Sequence, residues 1–148
     1  MRMTKKYDVI IVGGGPAGIF ASLELSHAGI DVLLLDKGRE IDARSCPVQE
    51  GAERCVLCSP CHLVSGFGGA GAFSDGKLTL STEVGGPLKE LIGFDQAKAL
   101  VDYVDSIYLE FGATHEVYGT GEKVAELERR AILSGLKLIP VKLRHLGT

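Results

Sequence analysis

The sequence predicts an α/β fold organised around a parallel sheet, and three observations carry that expectation. Two short apolar runs, Tyr7 to Val12 and Val32 to Leu35, lack the strict alternation of a half-exposed strand. They read as strands buried on both faces, as in a parallel sheet. Between them a glycine cluster at positions 13–18 leads into an apolar stretch of helical spacing, and an acid, Asp36, follows the second run directly. Strand, glycine turn, helix, strand and acid together predict a βαβ unit over residues 5–36.

Each element follows from local chemistry. Pro16 suits the first turn of a helix, where its missing N–H costs nothing, and Ala17, Ala21, Leu25 and Ala28 are expected to line one face before Gly29 ends it. From Lys37 to about Gly86 the pattern is irregular, with a cysteine-rich loop at 46–61 and a glycine-rich loop at 65–77. A connection of that length calls for a functional reason. Helical periodicity returns over 95–135: Ala97, Leu100, Val101, Val104, Ile107, Tyr108 and Phe111 form one stripe, closed by Gly112. Thr120 is placed to cap a second helix carrying Val124, Leu127 and Ala131, with Gly135 ending it. Residues 136–146 read as a terminal strand in which Ile139, Val141 and Leu143 alternate with Lys142 and Arg144, and Pro140 argues for an edge position.

Composition narrows the function classes. The chain has 148 residues, enough for one ordinary domain and too few for a complete two-domain oxidoreductase. Sixteen basic against nineteen acidic side chains give a net charge of -3, so no basic field draws it to nucleic acid or an acidic membrane. Its 20 glycines are nearly twice the usual share of roughly 7%. Beside 45% apolar residues and without a collagen period, they must serve loops of a folded protein. The start imitates a signal peptide for a moment, but Gly13-Gly14-Gly15-Pro16 breaks the apolar run far short of a membrane span. The expectation is a cytoplasmic protein. Three visible strands, the last without a partner, are fewer than the five or six of a doubly wound sheet, so the expectation is the N-terminal portion only, with an incomplete parallel sheet.

Gly13-Gly14-Gly15-Pro16-Ala17-Gly18 satisfies G-x-G-x-x-G, and Asp36 stands 18 residues beyond Gly18. In a strand–turn–helix context this is the Rossmann-type fingerprint for a dinucleotide. Gly13 permits the tight turn, Gly15 lets a pyrophosphate approach the helix N-terminus, and Gly18 lets the helix lie close on the sheet. Asp36 would accept hydrogen bonds from ribose hydroxyls, and its charge disfavours a 2′-phosphate, which makes NADP the least suitable dinucleotide. The fingerprint does not separate FAD from NAD. The second cluster, Ser65 to Lys77, would expose many backbone N–H groups to a ribityl chain and flavin ring, with Lys77 as a positive charge beside them, or would be a plain surface loop.

Cys55, Cys58 and Cys61 recur at three-residue intervals, and Cys46 lies upstream as a fourth candidate ligand. An iron–sulfur cluster, a zinc ion, a dithiol exchanging electrons with a flavin, and ordinary loop thiols all remain open. His27, His62 and His115 read as solvated or packed side chains, and Glu126, Glu128, Arg129 and Arg130 as a solvated helix face.

The segment Tyr7 to Asp36, the Cys46-Pro47 and Cys55-x-x-Cys58-x-x-Cys61 pattern, and especially Ser65 to Leu78 resemble the bacterial and archaeal FAD-dependent dehydrogenases of the glutathione-reductase-like flavoprotein superfamily. The resemblance implies FAD as the bound dinucleotide. It implies Gly13, Gly15, Pro16, Ala17, Gly18 and Asp36 at the ADP half, and Gly68, Gly69, Ala70, Gly71, Ser74 and Lys77 near the flavin half. It further implies a flavin-dependent oxidoreductase acting on a small-molecule substrate, with NAD(P)H as a candidate electron donor and no catalytic side chain assigned. Members continue for roughly twice this length again. The competing class is a non-catalytic module that holds a dinucleotide or a metal and turns nothing over. Arg144 to Thr148 also resemble a family segment, without an assigned role.

Overall fold

The computed structural model describes residues 5–146. They fall into two compact units, one ending at Ser74 and the other beginning at Asp75.

The first unit is built on β1 (Val9–Val12), α1 (Pro16–His27) and β2 (Val32–Leu35). The strands are parallel, with Val9 opposite Val32 and Val12 opposite Leu35, and α1 makes the crossover. This is the βαβ unit expected over residues 5–36. It differs from the expectation in two respects. β1 is covered on one face only, with Ile10 60% and Val12 83% exposed, because α1 packs on the side of Val9 and Ile11. The face that α1 turns inward carries Gly18, Ser22 and Leu25, while Ala17, Ala21 and Ala28 point outward. Alanine is small enough for either side of a helix, whereas the glycine must face the strand: a Cβ at Gly18 would lie 1.9 Å from the Gly13 carbonyl oxygen.

Beyond β2 the first unit has two short 3₁₀ turns, Ile41–Ala43 and Gly69–Phe73, with a single parallel bridge between Arg39 and Gly66. No apolar side chain of this unit is buried among its described residues; the buried ones are Arg44 and Ser65. Arg44 donates from Nε to the His62 carbonyl (2.9 Å), from Nη1 to Phe67 (2.6 Å), and from Nη2 to Leu63 (2.7 Å) and Gly69 (2.8 Å). Its guanidinium also lies 4.7 Å from the centre of the Phe73 ring. A long irregular loop is thus gathered around one cation.

The second unit contains β3 (Lys77–Thr79), α2 (Leu88–Ile92), α3 (Phe94–Glu110), α4 (Glu122–Leu133) and β4 (Leu143–His145). Ala97, Val101, Val104 and Tyr108 form the covered stripe of α3, and Ala97 and Ala131 are the buried apolar residues. The predicted strand over 136–146 is corrected to Leu143–His145, which pairs antiparallel with β3 and does not extend the parallel sheet. Nor is it an unpaired edge: Leu143 also exchanges backbone hydrogen bonds with Tyr118, at 2.8 and 3.1 Å. Pro140 offers no N–H, and regular pairing begins only after it. The Thr120 cap is also corrected. Gly121 precedes α4 without a side-chain cap, and the Thr120 hydroxyl donates to the Val117 carbonyl instead. Leu127, expected on the apolar face of α4, is 55% exposed, whereas Val124 and Ala131 are covered.

Arg144 organises this unit as Arg44 does the first. It is buried and forms a bidentate pair with Asp105, Nε to Oδ1 at 2.6 Å and Nη2 to Oδ2 at 2.8 Å, and also donates to the carbonyls of Thr114 and Glu116. The segment around it that resembled the family has a structural role at this position; Gly147 and Thr148 lie outside the described residues.

Candidate functional site

The site is a corner of the first unit where β1 gives way to α1. Gly13 adopts φ +115°, a conformation open to glycine and few other residues, and its N–H donates to the Leu35 carbonyl at 2.7 Å, so the sheet ladder extends into the turn. Gly15 then caps α1 in an extended conformation. A Cβ placed on Gly15 would meet nothing within 4 Å, so the space above it is open. The first turn of α1 has no side-chain cap and no acidic residue. An anion is the natural partner of such a helix terminus, since the leading N–H groups have no intrahelical acceptors.

Asp36 closes the corner from the end of β2. Its Oδ2 accepts from the Gly14 N–H and its Oδ1 from the Gly38 N–H, both at 2.7 Å. These bonds, Gly38 first and Gly14 second, hold the carboxyl below the usual aspartate range; Gly66 and the Arg44 charge add to the effect, and partial burial opposes it. The carboxylate is therefore ionised and fixed in direction. A carboxylate oxygen can accept more than one hydrogen bond, so acceptor capacity remains.

The glycine-rich loop lies against this turn. Gly68 N–H donates to the Gly14 carbonyl at 2.8 Å, and a Cβ on Gly69 would come within 3.3 Å of the Gly15 Cα. Gly14 is itself required, because its Cβ would stand 2.9 Å from the Phe67 ring. Gly13, Gly15, Pro16, Gly18, Asp36, Gly68 and Gly69 are thereby brought together. Ala70 and Gly71 lie in the following 3₁₀ turn, and the Ser74 hydroxyl donates to the Gly71 carbonyl at 3.0 Å. Lys77 belongs to the second unit and is ion-paired with Asp75 at 2.6 Å, both half-exposed.

Sequence reasoning missed Arg44. By holding the carbonyls of Phe67 and Gly69 it sets the height of the glycine loop over the turn, and no signal in the sequence around it points to this role.

The four cysteines are free thiols, Cys55 and Cys61 exposed, Cys46 and Cys58 partly covered. Among the described residues no three Cys, His, Asp or Glu side chains are gathered as one metal ion requires. Cys46, Cys55, Cys58 and Cys61 all line one pocket. His62 lines the same pocket, its Nδ1 2.8 Å from the Ser45 carbonyl.

Residues 6–49 match the model of the FAD binding domain family. The chain is 43% identical over 70 residues to an uncharacterised protein of Clostridium beijerinckii, 49% over 39 residues to a digeranylgeranylglycerophospholipid reductase of Methanosarcina mazei, and 53% over 34 residues to a thioredoxin reductase of Listeria monocytogenes. These stretches cover 47%, 26% and 23% of this chain but only 13%, 10% and 11% of the relatives. No solved structure matches it. The N-terminal segment thus has the signature of an FAD-binding domain and is similar to reductases, as the resemblance read from the sequence implied. No helix among the described residues is long and apolar enough to cross a membrane.

Proposed function

We propose that the first unit binds FAD and is the FAD-binding part of an oxidoreductase that passes reducing equivalents through the flavin to or from a small molecule. The observation that carries this reading is the open space above Gly15 at the uncapped N-terminus of α1, inside the segment that matches the FAD binding domain model. The residues present fit the cofactor. Pyrophosphate oxygens would take the leading N–H groups of α1, and Asp36 would take the ribose hydroxyls on its remaining acceptor sites. Gly68, bonded to the Gly14 carbonyl, and Gly69, held by Arg44, lie beside the turn and leave the space above Gly15 open. When bound, the isoalloxazine ring supplies the hydride chemistry, so no acid–base pair from this chain is needed. NAD(P)H is the candidate electron donor, and free thiols suit a reducing, cytoplasmic setting.

Gly15→Val tests the reading, since a side chain there has room in the protein but not beside a pyrophosphate. Flavin retention should be lost while the far-ultraviolet circular dichroism stays that of the parent. Stoichiometric FAD in the variant would overturn the assignment.

A further inference from the structure

We infer that Cys46, Cys55, Cys58 and Cys61 hold a four-iron iron–sulfur cluster, because the four thiols line one pocket of about 260 Å³. A tetrahedral zinc ion binds thiolates at about 2.3 Å, which brings the sulfurs to about 3.8 Å from one another. The pocket that these four thiols line is larger than one such ion needs. A cluster carries each cysteine on a different iron, at its corners, so its ligands surround a volume instead of a point. The pocket is of that kind.

Two further observations support the assignment. The loop is closed at its base by Arg44, two residues before Cys46, which grips the carbonyls of His62 and Leu63 directly after Cys61. The cysteine window is therefore a tied loop that holds its thiols around the pocket. Val48, Val56 and Leu63 supply the apolar part of the pocket lining. Leu57, with φ +54°, donates its N–H to Cys55 Sγ at 3.4 Å, and N–H donors to sulfur are among the groups that set the potential of a cluster.

The inference is independent of the flavin, and its test is too. The full chain is purified without oxygen, reconstituted with ferrous iron and sulfide, and assayed separately for iron, acid-labile sulfide, zinc and FAD. The expected result is about four irons and four sulfides per chain, with visible absorption that bleaches on reduction. Cys58→Ser should lose most of the iron and His62→Ala should keep it; the metal content of the unaltered chain decides the matter even if a variant fails to fold. Zinc without sulfide, or a reconstituted chain lacking both metals whose four thiols alkylate as fast as free cysteine, overturns the inference. A chain that holds iron and sulfide but no FAD leaves this inference standing and removes the flavin reading.

Discussion

Each of the two units is organised around one buried arginine, but the partners differ in kind. Arg144 meets a carboxylate, and the two charges cancel where they touch. Arg44 meets four backbone carbonyls and, among the described residues, no carboxylate within ion-pair distance. A carbonyl satisfies the donors of a guanidinium without removing its charge. The Arg44 guanidinium is therefore not cancelled by a direct ion pair, though its charge reaches the Asp36 carboxylate, whereas that of Arg144 is neutralised in contact. The contrast separates two uses of one residue type: a neutralised clamp that joins a helix to a strand, and a charged clamp that shapes a loop beside an uncapped helix terminus.

The largest effect should come from breaking the charged clamp. Arg44→Met removes four hydrogen bonds from a charged donor, at about 1.5–3 kcal/mol each before relaxation, and leaves carbonyls with no replacement. The net loss should be about 4 kcal/mol or more, seen in denaturant titration and as rapid proteolysis between residues 44 and 69. Arg44→Lys should not restore the loop, because one ammonium cannot reproduce the fork. A variant as protease-resistant as the parent would remove Arg44 from the argument.

Breaking the neutral clamp comes next. Asp105→Ala strands a buried guanidinium and should cost about 3 kcal/mol, whereas the double change Asp105→Leu with Arg144→Met should recover much of it. If the double variant is no more stable than the single one, the pair is not a self-cancelling unit.

A smaller effect distinguishes the carboxylates. Asp105 is held below its ordinary value of 3.8 chiefly by its bond to Arg144, whereas Asp36 is held below the same value chiefly by the N–H groups of Gly38 and Gly14. A lowered folded-state value means that the native protein binds the proton less readily than the unfolded chain. The stability each group contributes is therefore complete above 3.8 and is lost as the pH falls through the lowered value. Carboxyl titration by NMR should show Arg144→Met returning Asp105 toward its ordinary value. Arg44→Met should leave Asp36 still well depressed, provided the turn persists. The reverse pattern would exchange the roles given to the two arginines. Smallest of all is Asp102→Ala, one turn before Asp105 on α3. It breaks an exposed pair with Lys98 and should leave the melting temperature unchanged within error.

The strand, glycine turn, helix and strand were legible because each depends on neighbours: Pro16 starts the helix, Gly18 must face Gly13, and Asp36 follows the strand it serves. The pairing of Lys77–Thr79 with Leu143–His145 was not legible, since both strands are three residues long and nothing local ties one to the other. The alanines of α1 misled because a small apolar side chain has no compulsory side. Asp105 and Arg144 looked like ordinary helix and strand charges, and their meeting is a tertiary fact across 39 positions. Arg44 was hidden for a different reason: its partners are main-chain oxygens, which leave no trace in a sequence.

That last feature bears on how the protein can change. Because the grip of Arg44 falls on carbonyls, the side chains at His62 and Leu63 are free to be exchanged without loosening it, so long as the backbone path is kept. A saturation library over these two positions should tolerate most substitutions for folding while altering the wall of the cysteine pocket. The loop can thus be retuned one side chain at a time, on a scaffold that selection need not rebuild.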